Sequence, residues 1–325
     1  MNRFTTKSLI IFFIILIICF CSIKKHKIQY ILFYIIMFFI IFKILINNYK
    51  KNISKKLVKY ITKLDKNKIN IHRYTGNFPM YYINLDRAYT RNNYMMEQKT
   101  KYNLNNLLRV EGVDCKNLKS IFEDKYIFKN GDILNYKINY YKSHKINELG
   151  CLLSHLYTIY KAYHNGDNFA YIMEDDVYFG LVSTWDKTIY QFLENAPTDW
   201  NLLQLYSMNS NVLTNSNTFR KRKVDDWSTC IYFINRKAMH YIVSTLFING
   251  NLVINKHPKI DVIFGVGNPL NADYFLYNYI EHGIGGVYAT KPLFISNDLY
   301  TSYINNKDTE HIENALHILN KLGIN

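Results

Sequence analysis

The chain has 325 residues, room for one large domain or two modest ones with appendages, and 49% hydrophobic and 16% aromatic residues supply material for a packed core. A net charge of +15 raises the question of nucleic acid. Residues 1–70 hold 14 Lys and Arg against one acid, Asp65, whereas residues 71–325 hold 26 against 24, so the basicity belongs to an N-terminal appendage and no nucleic-acid partner is expected.

In chain order, the first feature is Leu9 to Ile23, which is almost wholly apolar. At 1.5 Å per residue it reaches about 22 Å, suiting either a thin membrane span or the apolar core of a signal peptide. A second run, Ile28 to Ile46, contains one charge, Lys43, and reaches about 28 Å, close to a bilayer's hydrocarbon thickness. The two are joined by Lys24-Lys25-His26-Lys27, a tight turn. Eight Lys follow between Lys50 and Lys68, with Ile53, Leu57, Val58, Ile61 and Leu64 at helical spacing among them. That pattern predicts a basic amphipathic helix suited to an anionic membrane surface. The expected organisation is a membrane anchor of one or two helices over 1–49, a basic neck over 50–77 and one domain over 78–325. Membrane lipids are therefore expected partners. The Lys cluster favours the cytosolic side for the domain; a lumenal side follows if the first run is cleaved.

From Phe78 short apolar runs alternate with amphipathic ones. Met80 to Leu85 predicts a buried strand, Thr90 to Leu108 a helix, and Arg109 to Asp114 a second strand running into a loop. Residues 115–145 predict an irregular surface insertion. Asn147 is a suitable N-cap for a helix from Glu148, whose Leu149, Leu152, Leu153, Leu156 and Ile159 keep helical spacing. Phe169 to Met173 predicts a strand with Glu174-Asp175-Asp176 at its carboxyl end. Strands at Trp200–Tyr206 and Cys230–Ile234 and helices at Ala238–Phe247 and Ala272–Glu281 complete an alternating order, hence an α/β class with a mostly parallel sheet. Five scattered Cys provide no disulfide framework.

Three consecutive acids at a strand end repel one another and would be desolvated by a nearby core, which implies an offsetting cation. Ligands of open α/β sheets bind beyond the carboxyl ends of the strands. If strand geometry continues, Glu174 and Asp176 point to one side as ligands for Mg²⁺ or Mn²⁺, with Asp175 turned away.

The segments Tyr81-Tyr-Ile-Asn-Leu-Asp-Arg87 with Arg91, Gly112-Val-Asp114, Glu148-Leu-Gly-Cys-Leu-Leu-Ser-His155 and Tyr171-Ile-Met-Glu-Asp-Asp-Val177 follow in that order. Together with Trp227 to Arg236, Asn271-Ala-Asp273 and Val287 to Pro292, this pattern resembles glycosyltransferase family 25 over about residues 79–300. That family includes lipooligosaccharide galactosyltransferases and collagen hydroxylysine galactosyltransferases. The resemblance implies a GT-A-like nucleotide-sugar fold, a divalent metal (Mn²⁺ or Mg²⁺) on Glu174 and Asp176, and inverting transfer of galactose or glucose from a UDP-sugar to a glycan or protein acceptor. It implies that Asn84, Arg87 and Arg91 lie beside the nucleotide, and that Asp114 accepts hydrogen bonds from uracil or ribose. Ser154, His155 and Asp175 complete the donor site. Asp273 is the candidate base, with metal binding or helix capping as its alternatives. Cys230 stands where the family often has a small residue, and Asn271 replaces a possible acid. Two other functions remain open: a metal-dependent phosphoesterase, and a non-catalytic membrane-tethered glycan-binding or scaffold protein that keeps the fold.

Overall fold

The computed structural model describes residues 28–65, 71–114, 145–209, 218–248, 251–252, 271–297 and 308–324. The first apolar run and the expected insertion over 115–144 lie outside them. Two compact units are formed, Met1–Lys55 and Lys56–Asn325. Helix α1 (Ile28–Leu64) includes the second apolar run and the basic neck. Among the described residues no helix is long and apolar enough to cross a membrane, so the expected membrane-spanning helices are not found there.

The neck departs from the expectation in an instructive way. Of its apolar positions, Leu57 and Leu64 are buried and Val58 is exposed. Asp65, the one acid of the first seventy residues, fastens the helix end to the domain. It accepts hydrogen bonds from the Tyr102 and Tyr178 hydroxyls at 2.6 and 2.8 Å and pairs with Lys101. Tyr178 also donates to the Ile61 carbonyl, and Tyr60 to Asn320. The apolar stripe that suits a lipid surface is used within the domain itself, because two leucines and one carboxylate find protein partners.

A seven-stranded sheet forms the centre, in the order β2 (Leu107–Glu111), β1 (Met80–Asn84), β3 (Phe169–Glu174), β7 (Ile231–Asn235), β5 (Leu202–Gln204), β10 (Val287–Thr290), β6 (Phe219–Lys221). Strands β7 and β6 run against the other five, so the sheet is mostly parallel with two reversed members. The parallel strands need helical crossovers, and α3 (Tyr89–Lys101) and α4 (Lys145–His164) supply the first ones.

Strand alternation sorts the side chains onto two faces. On β1, Tyr81 joins the cluster of Leu152, Leu153, Leu156 and Ile159 from α4, while the Tyr82 hydroxyl donates to Asn92 of α3 on the other face. The same cluster takes in α6 (Arg236–Leu246) and α7 (Ala272–Gly283) through Met239, Ile242, Phe275 and Ile280. The opposite face is aromatic: Phe233 packs against Tyr171, Phe169 and Trp200, and Tyr171 meets Phe294. The result is a three-layer α/β/α arrangement with two cores.

Helix α4 begins at Lys145, before the expected Asn147 cap, and β2 begins two residues before the expected Arg109. Short strands β4 (Val177–Tyr178) and β11 (Ile295–Ser296) pair antiparallel. A C-terminal helix, α8 (Asp308–Lys321), covers one end. The two short strands have no sequence period, whereas α8 buries Ile312, Ala315, Leu316 and Leu319 at helical spacing.

Gly286 shows how tightly β10 enters the sheet. It has φ +77°, and a Cβ there would stand 2.0 Å from the Asp199 carbonyl, while its own carbonyl accepts from Asn201 and Leu202 N–H. Gly286→Ala is therefore expected to destabilise the fold by about 2 kcal/mol or more. Thermal unfolding should report a Tm lower by roughly 4 °C or more.

Candidate active site

The strand ends converge on one cavity of about 560 Å³. Its walls come from the carboxyl ends of β1 and β3, the loop after β2, one face of α4, the loop before β7 and the first turn of α7. Parallel pairing sets Ile83 beside Glu174, and the Glu174 N–H donates to the Cys230 carbonyl across the antiparallel β3–β7 edge. That register places the three acids and residues 228–230 at the same sheet end.

The three consecutive acids diverge because the chain turns after Glu174. Asp175 enters the interior between β1 and α3, where it accepts from Asn84 Nδ2 at 2.6 Å and Arg91 Nη1 at 2.7 Å. Burial pushes its carboxyl above the ordinary value, against the pull of Arg91 and Asn84. Asp176 is buried on another side. Its Oδ2 accepts from the Ser296 hydroxyl at 2.7 Å, its Oδ1 from the Cys230 thiol at 3.6 Å, and its carbonyl from the Asn297 N–H. Glu174 keeps 26% of its side chain exposed. Its Oε1 accepts from Thr229 Oγ1 at 2.9 Å and stands 3.7 Å from His155 Nε2. Burial opposes its ionisation, but His155, Thr229 and Arg91 together hold it below the usual carboxylate range.

The other expected residues fall as follows. Arg87 and Asp114 both line the cavity and pair with each other. Arg91 lines it too, with one guanidinium nitrogen bound to Asp175. Asn84 is buried and donates to Asp175 and to the Ala88 carbonyl. Ser154 accepts from the Val113 N–H at 2.7 Å and donates to Gly150, which ties α4 to the loop carrying Asp114. His155 is fully buried, with Nδ1 3.1 Å from the Tyr232 hydroxyl. Among the described residues no hydrogen bond reaches its Nε2, which faces Glu174.

Asp273 sits in the first turn of α7, whose cap is Asn271, accepting from the Tyr274 N–H. The capping alternative for Asp273 therefore has another occupant, although its Oδ1 also meets the Tyr274 N–H. Its Oδ2 accepts from the Ser228 N–H at 3.0 Å. Burial pushes the Asp273 carboxyl above its ordinary value, and the Ser228 N–H and Arg222 oppose that rise.

Sequence reasoning missed the loop 226–230 as a unit: Ser228 reaches Asp273, Thr229 reaches Glu174 and Cys230 reaches Asp176. It also missed Cys151. The donor atoms of Cys151, His155 and Glu174 all lie within 4.8 Å of one another, a spacing that can hold an ion. Cys151 and His155 are four apart on one helix face, so their spacing carried a signal. Burial pushes the Cys151 thiol far up, and sulfur is a soft donor. Glu174 and Asp176 are the harder, oxygen donors among the residues lining the same cavity.

Residues 77–249 match the family described as Glycosyltransferase family 25 (LPS biosynthesis protein). The chain belongs to glycosyltransferase family 25, and it carries a glycosyltransferase domain. No curated protein matches it. Asp273 lies beyond the matched residues, and the fold brings it to the same cavity as the family's acidic turn.

The buried pair within this glycosyltransferase site has a measurable consequence. Arg91→Met leaves Asp175 with Asn84 as its remaining side-chain donor, and a loss of roughly 3 kcal/mol is expected. Urea unfolding should show it as a lower midpoint at unchanged slope. An Arg91 that served the ligand alone would leave the midpoint in place.

Proposed function

We propose that this family 25 enzyme transfers galactose or glucose from a UDP-sugar to a hydroxyl of a glycan or hydroxylysine-type acceptor, with inversion and with the help of Mn²⁺ or Mg²⁺. The observation that carries the proposal is the confinement of Glu174, Asp176 and Asp273 to one cavity of about 560 Å³ at the carboxyl ends of β1 and β3. A GT-A-like fold belongs to the same reading. It is supported by five strands running one way with the acids at the end of β3.

Glu174 and Asp176 are the residues that would hold the ion, which would offset charge on the departing nucleoside diphosphate. His155 and Thr229 orient Glu174; Ser296 and Cys230 orient Asp176. Arg87 and Asp114, on the opposite wall, suit the nucleotide: a guanidinium for phosphate, a carboxylate for uracil or ribose hydrogens. Asn84, Arg91 and Asp175 act at one remove by fixing the acidic turn, and Ser154 by fixing Val113 beside Asp114. Asp273 takes the proton from the acceptor hydroxyl. Its burial suits the task, because a carboxyl raised above its ordinary value is a stronger base once ionised.

Two measurements test the assignment. The full-length chain should hydrolyse UDP-galactose or UDP-glucose only with Mn²⁺ or Mg²⁺ present, and Asp176→Ala should abolish this. Turnover that is indifferent to metal and to Asp176→Ala would remove the proposed metal site. For the base, Asp273→Asn should lower kcat for transfer by about 10²–10⁴ while UDP binding persists. The base must be ionised to work, so parent activity should be lost as pH falls through a midpoint above the ordinary Asp value of about 3.9. Transfer that falls equally in the parent and in Asp273→Asn assigns the proton step to another group.

A further inference from the structure

Trp227 is the feature of the cavity that the transfer chemistry leaves unexplained. Trp227 is 43% exposed and lines the cavity, whereas the backbone around it is held by hydrogen bonds. Asp226, just before it, is fully buried and takes a two-pronged ion pair from Arg220 and the Lys223 N–H. Gln204 Nε2 lies 3.0, 3.4 and 2.8 Å from the carbonyls of Asp226, Trp227 and Ser228. The Trp227 carbonyl also accepts from the Met208 N–H, and the Ser228 carbonyl from the Tyr277 hydroxyl.

Ser228 has φ +109°, a conformation that costs a non-glycine residue about 1–3 kcal/mol. A hydrogen-bonded frame therefore holds a strained backbone in place and leaves the large apolar side chain it carries in contact with solvent. An observed outlier of this kind, at a cavity, points to ligand contact rather than to packing.

The position of the frame says which ligand. The Ser228 N–H is bonded to Asp273 Oδ2, so Trp227 is one residue from the atom that receives the acceptor's proton. A molecule whose hydroxyl meets Asp273 occupies the same cavity that Trp227 lines. Arg220, Arg222 and Lys223 precede Trp227 but none of them lines the cavity, and Arg222 Nη2 reaches the Asp273 carbonyl. Asp225 and Asp226 are the acids of the same loop, and Asp226 is already paired with Arg220. A pyranose ring has what the site can use, an uncharged face of C–H groups for a flat aromatic surface and a rim of hydroxyls for the carboxylate.

We propose that Trp227 is the platform on which the acceptor's sugar ring stacks, fixing one of its hydroxyls against Asp273. The assignment rests on the transferase reading and narrows its acceptor to a glycan.

The test separates donor from acceptor. A panel of neutral and acidic oligosaccharides and a hydroxylysine-containing peptide are titrated into the full-length chain, with binding read by saturation-transfer NMR. UDP is titrated in parallel. At least one oligosaccharide should bind, weaken tenfold or more in Trp227→Ala and recover in Trp227→Phe, while UDP binds all three forms alike. Oligosaccharide binding that Trp227→Ala leaves unchanged would overturn the platform. So would a panel that fails to bind, with or without binding of the peptide. Failure of UDP to bind the parent chain counts against the transferase reading instead, and the oligosaccharide arm still decides whether Trp227 contacts sugar.

Discussion

Repulsion among three adjacent carboxylates governs the architecture of this site. Two unit charges about 4 Å apart interact by about 4 kcal/mol at an effective dielectric constant of 20, so Glu174, Asp175 and Asp176 each need partners of their own. The chain turns after β3 and sends each side chain to different partners: His155 and Thr229 for Glu174, Arg91 and Asn84 for Asp175, Ser296 and Cys230 for Asp176. Those partners come from β1, α3, α4, the loop before β7 and β11. Much of the fold's connectivity is thus drawn to one strand end. The β4–β11 pairing, trivial in size, is what brings Ser296 to Asp176.

The loop over 226–230 is the second organising element. It touches all three acids assigned to the chemistry, through a backbone N–H to Asp273, a hydroxyl to Glu174 and a thiol to Asp176. Its own position is set from the other half of the sheet, by Gln204 at the end of the inner strand β5 and Arg220 in the edge strand β6. Strands that carry no proposed chemistry therefore hold the cavity in shape. Cys230, a departure from the residue expected at that place, is accommodated because its thiol has a carboxylate to meet.

Much of the framework was legible before the structure. Strands at Met80 and Phe169 and the helices that carry His155 and Asp273 follow from period-two and helical spacing, because one buried face repeats regularly there. The neck shows the limit of such reading. Its basic amphipathic pattern suits a lipid surface and a protein surface equally, since both reward the same apolar stripe. Asp65 and two tyrosines more than thirty residues away supply a protein contact at the end of the helix that no local pattern encodes.

By itself, the sequence determined the family, the α/β order and the acidic turn at Glu174-Asp175-Asp176, because these rest on local spacing and on residues in fixed succession. Only the tertiary structure decided which partners each of the three acids takes, that Arg91 is committed to Asp175, that β7 and β6 run backwards, and that the backbone after Trp227 meets Asp273. Each of these depends on contacts between segments remote in the chain. Burial and pairing there are set by how the elements meet, and no local pattern of residue types encodes that meeting.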